Sequence, residues 1–529
     1  MWALAAVAVL VVAPGAWLGR YGINPDGLSY LDMAAGAVRS DAANLINLYW
    51  SPLYPTLLAG LLVLLKPEGV AEFATAQLLN LLLLALAAAA LAYLVLGMPK
   101  SARTVVALTF AVFLWALHST WLAQMVTPDL LVGALVYGAA GLALRLQRSP
   151  TTWRAVVLGS LLAAGYYAKA VMLPLGFCLL GLLWLARLPR RLVLIAAAVF
   201  VAGSLPVIAM MSAGAGRLTT GESGKLNYAW SSNGVPSFFG WRGGPPGNGT
   251  PVHPPRVIAK QPLVLEYNGP VGGTVPLWYR PAYWYEGLKL RFDARGQWIA
   301  LRRSLGNLWK LVIRLSALLL GLLALLALRR WREPAFASGF AGNWWLAGWP
   351  ICALVLYSIV RFEERYFAVF LPVLTLGLLG VIRPRRGTIE VLISAGVAVA
   401  LIVPAVSGLP GQWRQIAQGN PRPEASPDYR ASLELRALGI GAGDRIALLA
   451  FPLTAYDIHL TGARVVAHSA PAREFWKLEP DRAERIYAAL HKAGVTAVVA
   501  QEAPPPEHAA GWLHRKDGTR WVRFLAGDR

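Results

Sequence analysis

Long apolar runs separated by short basic breaks constrain this chain more than any other feature of its sequence. The runs recur from the first residue to about residue 408, and hydrophobic residues make up 57% of the 529 positions. A soluble core cannot bury runs of this length and number, whereas helices that cross a bilayer satisfy their own backbone hydrogen bonds in lipid. The sequence therefore predicts a polytopic all-α membrane domain.

The runs amount to about eleven transmembrane helices when compared with the ~20 residues that a crossing helix requires. They are 1–18, 73–97, 104–118, 129–145, 155–171, 173–186, 192–212, 307–328, 344–360, 367–381 and 388–408. The first run lacks a basic leader and a small-residue cleavage site, which favours a retained helix over a signal peptide. Residues 52–66 are apolar but short, and we interpret them as an interfacial or re-entrant helix.

The net charge of +22 is concentrated in the breaks between runs, which argues against a nucleic-acid-binding surface. The basic clusters are Lys100/Arg103, Arg145/Arg148/Arg154, Arg187/Arg190/Arg191, Arg329/Arg330/Arg332 and Arg383/Arg385/Arg386. The positive-inside rule makes these loops cytoplasmic. Residues 19–72, 213–306 and 409–529 then lie outside. The two cysteines, Cys178 and Cys352, fall within apolar runs and predict neither disulfides nor a thiolate metal site.

The tail, residues 409–529, has the pattern of a small α/β domain that follows a membrane domain of residues 1–408. Three segments have the composition of strands, and residues 481–493 have the periodicity of an amphipathic helix. Asp517-Gly518 predicts a hairpin turn. Residues 439–443 are glycine-rich but precede a strand, so they lack the context of a nucleotide-binding loop. The predicted strands are 445–450, 463–467 and 495–500.

Asn24-Pro25-Asp26, in the first outer loop, has the pattern of a helix start. A carboxylate at a membrane face is costly unless it is solvated, paired or functional. Asp26 is therefore a candidate general base, or a ligand for a cation, although a first-turn aspartate also complements the helix dipole. Asp32 points more than about 90° away from Asp26 on an ideal helix, so the two need not share a site.

Two further polar positions fall at the same predicted face. Thr127-Pro-Asp129 opens the fourth run, and a second acidic helix start makes a pocket shared with Asp26 more probable than either alone. Lys169 lies near the outer end of the fifth run. Its ammonium could neutralise a lipid phosphate, or the side chain could simply reach toward the interface.

Arg361 and Arg365 precede a run on the outer side, where the topology rule does not call for arginine. Their spacing of four predicts a shared helix face, and arginine binds phosphate in a bidentate manner. The alternative is internal pairing with Glu363 and Glu364.

Several outer residues are candidates for holding a sugar or a lipid head group, because stacking rings and hydrogen-bonding groups suit such ligands. For each aromatic residue the alternative is membership of the membrane-interface belt. These candidates are Tyr30, Tyr54, Lys225, Tyr228, Trp284, Glu364 and Tyr366.

Taken in order, these features resemble the GT-C superfamily of membrane glycosyltransferases, in particular the branch of protein O-mannosyltransferases and aminoarabinose transferases. The resemblance covers most of the chain but consists of short pieces. One departure is that Asp26 is followed by Gly27, where protein mannosyltransferases carry an Asp-Glu pair; this puts a protein acceptor in doubt. The matching pieces are Asp26 with Ser29-Tyr30, Pro52-Leu-Tyr-Pro55, Thr127-Pro-Asp129, Lys169, and Glu364-Arg-Tyr366 with Pro372.

The resemblance implies transfer of a sugar, with inversion, from a polyprenyl-phosphate donor flipped to the outer face. Asp26 maps to the catalytic residue of the family's first outer loop, and Arg361, Arg365 or Lys169 would stabilise the leaving phosphate. The acceptor would be a glycan, a lipid or a protein. No cofactor is required, unless a divalent cation binds at Asp26 and Asp129. The implied location is a bacterial inner membrane, with the active site and the tail in the periplasm.

The sequence leaves two other classes of function open. The first is a flippase or another transporter of lipid-linked sugars, and the second is a membrane scaffold without catalytic activity. Transporters usually show internal repeats and broken helices at mid-membrane. This sequence shows neither, and its polar residues gather at one face.

The topology leads to a first testable prediction. Reporter fusions within residues 187–191 and 383–386 should be active on the cytoplasmic side, and fusions within the 409–529 tail should be active outside. A tail found in the cytoplasm would contradict the assignment of the outer face, and the candidate site would lose its basis.

Overall fold

The computed structural model describes the whole chain except residues 40–44, 99–102, 238, 240, 270, 277, 279, 329–342, 383–386 and 526–529. The predicted basic breaks at 329–332 and 383–386, and Lys100, lie outside the described residues. Helices dominate the first 417 residues. They are α1 (Trp2–Leu18), α2 (Pro25–Val38), α3 (Leu53–Leu65), α4 (Ala71–Leu96), α5 (Arg103–Ser119), α6 (Asp129–Arg148), α7 (Thr152–Ala168), α8 (Met172–Leu185), α9 (Arg190–Ala215), α10 (Ser223–Ser232), α11 (Pro281–Tyr285), α12 (Ala294–Arg314), α13 (Ser316–Ala327), α14 (Trp345–Val360), α15 (Glu364–Ala368), α16 (Leu371–Ile382), α17 (Thr388–Val406) and α18 (Leu409–Ala417).

Four helical segments in the described residues are long and apolar enough to cross a membrane: α4, α6, α9 and the 30-residue stretch of α17 and α18. A bent pair, α12 and α13, raises the number to five if it forms one span. Six further apolar helices have 10–17 residues, among them α3, which matches the short helix predicted at 52–66. The polytopic helical architecture is thus supported by length and composition, but the count of eleven spans is not confirmed.

The run predicted as a span at 307–328 is interrupted at Leu315. Helices α12 and α13 meet at an angle of 70° around Leu315. The physical reason is that α12 is amphipathic: Trp309 and Ile313 are exposed on a helix that also carries exposed Arg302 and Lys310. Such a helix is suited to lie along an interface, whereas α13 is apolar after Ser316 and buries Leu318, Leu322 and Leu325.

Small residues let the helices of the bundle approach closely. A Cβ atom on Gly141 of α6 would lie 2.7 Å from the Tyr93 ring of α4. A Cβ atom on Gly159 of α7 would lie 2.4 Å from the Ala196 carbonyl of α9. Both contacts are too short for any larger residue, so these glycines fix the spacing of the α4–α6 and α7–α9 pairs.

The tail forms a seven-stranded sheet, but two of its strands come from the predicted second outer loop. The strand order is β1-β2-β4-β3-β5-β7-β6, with β4, β3 and β5 parallel and the remaining pairs antiparallel. All three strands predicted in the tail are confirmed, with small shifts of their ends. The strands are β1 (Arg256–Lys260), β2 (Leu263–Glu266), β3 (Arg445–Leu449), β4 (Arg464–His468), β5 (Ala497–Ala500), β6 (Leu513–His514) and β7 (Trp521–Phe524).

The helices of the tail cover this sheet. The predicted helix at 481–493 is present, and the predicted turn at Asp517-Gly518 joins β6 to β7, with the Gly518 amide donating to the Arg515 carbonyl at 2.8 Å. β5 is buried along its whole length, as parallel strands covered on both faces are. The tail helices are α19 (Pro427–Ala437), α20 (Tyr456–Thr461), α21 (Ala472–Phe475) and α22 (Pro480–Lys492).

A buried histidine joins the sheet domain to the helix bundle. His459 Nε2 lies 3.2 Å from Glu72 Oε2 at the start of α4, and its Nδ1 lies 3.3 Å from Asp32 Oδ1 of α2. Thr274 adds a third link, because its amide and hydroxyl donate to the two oxygens of Asp32 at 2.9 and 3.0 Å. Burial alone would lower the pKa of His459, but hydrogen bonds and attraction from Asp32 and Glu72 raise it to about 9.

This joint predicts a stability that depends on pH. The folded-state pKa of His459 lies above its ordinary value of 6.5, so its stabilisation is complete below about pH 6.5 and is lost as the pH rises through about 9. His459→Gln should lower the unfolding free energy at neutral pH by roughly 1–3 kcal/mol and should flatten this dependence. Thermal unfolding of the full chain in detergent measures both effects. The control is His491→Gln, which replaces an exposed histidine. If stability depends on pH equally steeply in the wild type and in His459→Gln, the prediction is refuted.

Candidate active site

The start of α2 is tied to the loop that precedes α6. Pro25 and Asp26 occupy the first turn of α2 with Asn24 before them, as the sequence predicts. The Asn24 side chain does not cap its own helix; its Oδ1 accepts a hydrogen bond from the Val126 amide at 2.8 Å. A Cβ atom on Gly27 would lie 2.7 Å from the Val126 Cβ. Glycine therefore lets the two acidic helix starts, at Asp26 and Asp129, come together, and leaves no space for a second carboxylate at position 27.

Arg365 bridges the two carboxylates. Its Nη2 donates to Asp26 Oδ2 at 2.9 Å, and its Nη1 lies 3.8 Å from Asp129 Oδ2. Lys169 Nζ donates to Asp129 Oδ1 at 2.7 Å, and Thr127 Oγ1 donates to Asp129 Oδ2 at 3.0 Å. We call these four ionic groups, Asp26, Arg365, Asp129 and Lys169, the ionic chain. It brings together the ends of four helices that are far apart in the sequence.

The two carboxylates differ in access. The side chain of Asp129 is 3% exposed and has a donor on each oxygen, whereas that of Asp26 is 30% exposed. Burial alone would lower the pKa of Arg365, but Asp129, Tyr366 and Asp26 raise it well above its ordinary value, so the guanidinium stays charged. Asp26 is therefore the carboxylate that an incoming molecule can reach, and Asp129 fixes the two cations.

Two cavities meet at this ionic chain. The smaller, which we call the lysine cavity, has a volume of about 190 Å³. Lys169, Arg361 and Arg365 contribute positive charge, and the ends of α8 and α14 contribute an apolar wall. Its lining includes Asp26, Tyr30, Tyr49, Trp50, Thr127, Asp129, Lys169, Ala170, Val171, Asn227, Leu356, Tyr357, Val360, Arg361, Arg365 and Tyr366.

The larger cavity, which we call the tryptophan cavity, has a volume of about 660 Å³ and is lined by four tryptophans. Trp121 has a positive φ of 57°, and its side chain is 62% exposed, so much of its ring is accessible to a ligand. Asp26, Arg361 and Arg365 are among the residues that line both cavities. The lining includes Asp26, Tyr49, Trp50, Thr120, Trp121, Asn227, Trp230, Trp278, Arg314, Arg361, Glu363, Glu364, Arg365, Tyr366 and Leu453.

The prediction that Arg361 and Arg365 share a helix face is wrong. Helix α14 ends at Val360, Arg361 has extended backbone, and α15 begins at Glu364. Arg361 pairs with Glu363 at 2.6 Å and its side chain is 58% exposed. The alternative of internal pairing thus holds for Arg361, whereas Arg365 reaches Asp26. Glu364 instead pairs with Arg314 of α12, and burial raises the pKa of Glu364.

Tyr30 and Tyr366 line the cavities, but four other candidates lie outside both. Tyr54 is fully buried and donates to Asn80 Oδ1 at 2.9 Å. Trp284 is fully buried among the rings of the second outer loop. Lys225 turns toward Glu222, with its Nζ 3.8 Å from Oε1. Tyr228 is on α10, but on a different side from the Asn227 that lines the cavities.

Sequence reasoning missed Tyr49, Asn227, Tyr357 and Arg314 as cavity residues. Tyr49 packs against Trp50 and Trp278, with ring centroids 5.9 and 5.6 Å apart, and the Asn227 Nδ2 donates to its hydroxyl at 3.3 Å. Asn227 lies between Lys225 and Tyr228, two candidates that the sequence does single out. The other three have no local signal, because only the tertiary fold brings them to the site.

The ionic chain fits a resident divalent cation poorly. The described residues contain no group of three or more His, Cys, Asp or Glu side chains suited to a metal. Each oxygen of Asp129 already accepts from Lys169 or Thr127, and Arg365 holds Asp26. Two fixed cations within 4 Å of these carboxylates repel a metal ion.

No family model and no curated protein sequence matches this chain. Among solved structures, it is similar to ArnT from Cupriavidus metallidurans bound to undecaprenyl phosphate, with a TM-score of 0.40, 14% identity and coverage of 99% of this chain and 97% of that one. It is also similar to the Archaeoglobus fulgidus oligosaccharyltransferase tethered with an acceptor peptide, with a TM-score of 0.47, 12% identity and coverage of 94% and 68%. Scores and identities this low assign the chain no substrate or activity.

Proposed function

We propose that this chain is an inverting glycosyltransferase that moves a sugar from a polyprenyl-phosphate donor to an acceptor. The observation that carries the proposal is the position of Asp26: a partly exposed carboxylate, held by Arg365, at the junction of two cavities. A transferase that joins two substrates needs a reactive group that both can reach. The GT-C resemblance of the sequence, which maps the catalytic residue to Asp26, supports the same proposal.

The lysine cavity suits the donor. A polyprenyl phosphate has an anionic head on an apolar chain, and this cavity has cations beside an apolar wall of Val171, Leu356 and Val360. The neighbouring residues Val355 and Ile359 of α14 are exposed on an apolar helix, so a lipid tail could leave the cavity along it. The Nη1 of Arg365 is buried and has no hydrogen-bond partner among the described residues, which leaves a donor for a phosphate oxygen.

The tryptophan cavity suits the acceptor. Its volume lies in the range of ligand sites, and aromatic rings stack on the faces of sugars. Arg314, Glu363 and Glu364 add hydrogen-bonding and charged groups at the same wall. We propose that a saccharide, free or carried on a lipid, presents its hydroxyl here.

The reaction is then a single displacement. The acceptor oxygen attacks the anomeric carbon, the bond from that carbon to the phosphate oxygen breaks, and Asp26 takes the acceptor proton. Arg365 and Lys169 stabilise the phosphate as it leaves. Asp129 is buried and already paired, so it is not placed to form a covalent intermediate, and one displacement inverts the anomeric centre.

The geometry favours an enzyme over a transporter. Asp26 begins α2, Asp129 begins α6, Lys169 follows α7, and Arg365 lies in the short helix between α14 and α16. All four groups therefore sit at helix ends, whereas transporters bind substrate near the middle of broken helices. We place this face outside on the basis of the basic breaks, and in the periplasm of a bacterial inner membrane on the basis of the GT-C resemblance of the sequence.

Replacement of the base is the direct test. Asp26→Asn should fold normally and lose at least about a hundredfold in transfer rate, the usual scale for a lost general base. The measurement is transfer of labelled sugar, from a panel of polyprenyl-phosphate monosaccharides, to membrane acceptors. Asp481→Asn is the matched control, since Asp481 also follows a proline in the first turn of a helix. Near-wild-type turnover in Asp26→Asn would refute the assignment.

Arg365 should determine the affinity for the donor. Arg365→Lys keeps the charge but loses the planar fork, so it should weaken binding of polyprenyl phosphate, and Arg365→Ala should weaken it further. Arg302→Ala, an exposed arginine of α12, should have no effect. Unchanged affinity in the alanine variants of both Arg361 and Arg365 would show that these arginines are only structural partners of the carboxylates.

A further inference from the structure

A third cavity lies between the helix bundle and the sheet domain. Its volume is about 680 Å³, and it shares no lining residue with the lysine or tryptophan cavity. We call it the arginine cavity, because arginines from four elements line it: Arg39 after α2, Arg436 of α19, Arg445 of β3 and Arg464 of β4. The GT-C resemblance gives this cavity no role.

The charges of this cavity are unbalanced. Its two lining carboxylates are Asp32 and Glu72, and both face His459. Because the pKa of His459 is raised to about 9, the imidazolium is charged at neutral pH and offsets one of these two negative charges. The lining thus holds five positive groups, the four arginines and His459, against two carboxylates, and this surplus of positive charge attracts anions into the cavity.

Two of the arginines are direct neighbours. Arg445 and Arg464 are register partners at the start of the parallel strands β3 and β4. Like charges side by side on a sheet are destabilising unless a counter-charge lies between them. Arg445 Nε donates to the Gly494 carbonyl at 2.9 Å, and Arg464 Nη1 to the Val271 carbonyl at 3.3 Å. These bonds hold the side chains in place without neutralising them.

Arg436 is held in the same way, by the carbonyl of Leu460. In the described part of the chain, none of Arg436, Arg445 and Arg464 forms an ion pair, and each guanidinium has more donors than its single backbone bond uses. Oriented guanidinium groups with spare donors match the oxygens of phosphate. The volume is that of a typical ligand site, larger than an isolated anion needs.

We propose that the arginine cavity binds a phosphorylated ligand, at a site separate from the two cavities that meet at Asp26. The phosphate could belong to a soluble phosphorylated saccharide or to the head group of a membrane lipid, since the cavity touches both the sheet domain and the start of α4. This site does not depend on the glycosyltransferase proposal.

Hydrogen exchange with mass spectrometry locates the binding. The full chain is placed in nanodiscs of phosphatidylcholine, with pyrophosphate added to one sample and phosphatidylglycerol included in another. Slower exchange at residues 271–274 and 459–464 with pyrophosphate indicates a soluble ligand, and slower exchange only with phosphatidylglycerol indicates a lipid head group. Protection in neither sample would overturn the proposal. Because the lysine cavity is a separate site, its own protection does not affect this outcome.

Paired substitutions show whether the arginines carry the binding. The double variant Arg436→Gln with Arg464→Gln should weaken binding of whichever anion gave protection, pyrophosphate or phosphatidylglycerol, at least about tenfold. The reason is that each substitution removes a charge-assisted hydrogen bond. Arg430→Gln with Arg485→Gln is the matched control: it removes two exposed arginines of the same domain that do not line the cavity. Equal loss in both double variants, or no loss in the first, would overturn the proposal. Unchanged thermal unfolding in both variants shows that each one folds.

Discussion

The contact between Asp129 and Lys169 is the interaction on which the candidate site depends. Asp129 is almost fully buried at the start of a helix long enough to cross a membrane, and an unpaired carboxylate there would cost several kcal/mol. Lys169 and Arg365 remove most of that cost, and so fix the ends of α6, α7 and α15 relative to one another. Asp26 is the most exposed member of the ionic chain, and Arg365 contacts both carboxylates, so the pairing that satisfies the buried charge also orients the exposed one.

Helix α2 is held at two points by different parts of the molecule. Its first turn is tied to the bundle through Asn24 and Arg365, and Asp32, further along, is tied to the sheet domain through His459 and Thr274. The sheet domain is therefore connected to the helix that carries the proposed base. This connection also explains why two strands from the second outer loop join the sheet, since residues 256–274 run from β1 to the Asp32 contact.

The sequence predicts those parts of the fold that depend on local pattern. Apolar periodicity places the helices, alternation and turn residues place the tail strands, and Asn24-Pro25-Asp26 places the start of α2. The sequence does not predict the features that depend on tertiary packing. A spacing of four between Arg361 and Arg365 predicts one helix face. In the structure α14 ends at Val360, before both arginines, so Arg361 pairs with Glu363 and Arg365 pairs with Asp26. Likewise, apolar content cannot reveal the 70° bend at Leu315.

Four arginines outside the predicted cytoplasmic breaks form two pairs with different kinds of partner. Arg365 and Arg361 each face a carboxylate, so their positions are explained within the chain itself. Arg445 and Arg464 face each other across neighbouring strands and donate only to backbone carbonyls among the described residues. The first arrangement is balanced before any ligand arrives, and a donor phosphate must compete with Asp26 and Asp129 for Arg365. The second gains most from an anion, because its repulsion is relieved only when one binds.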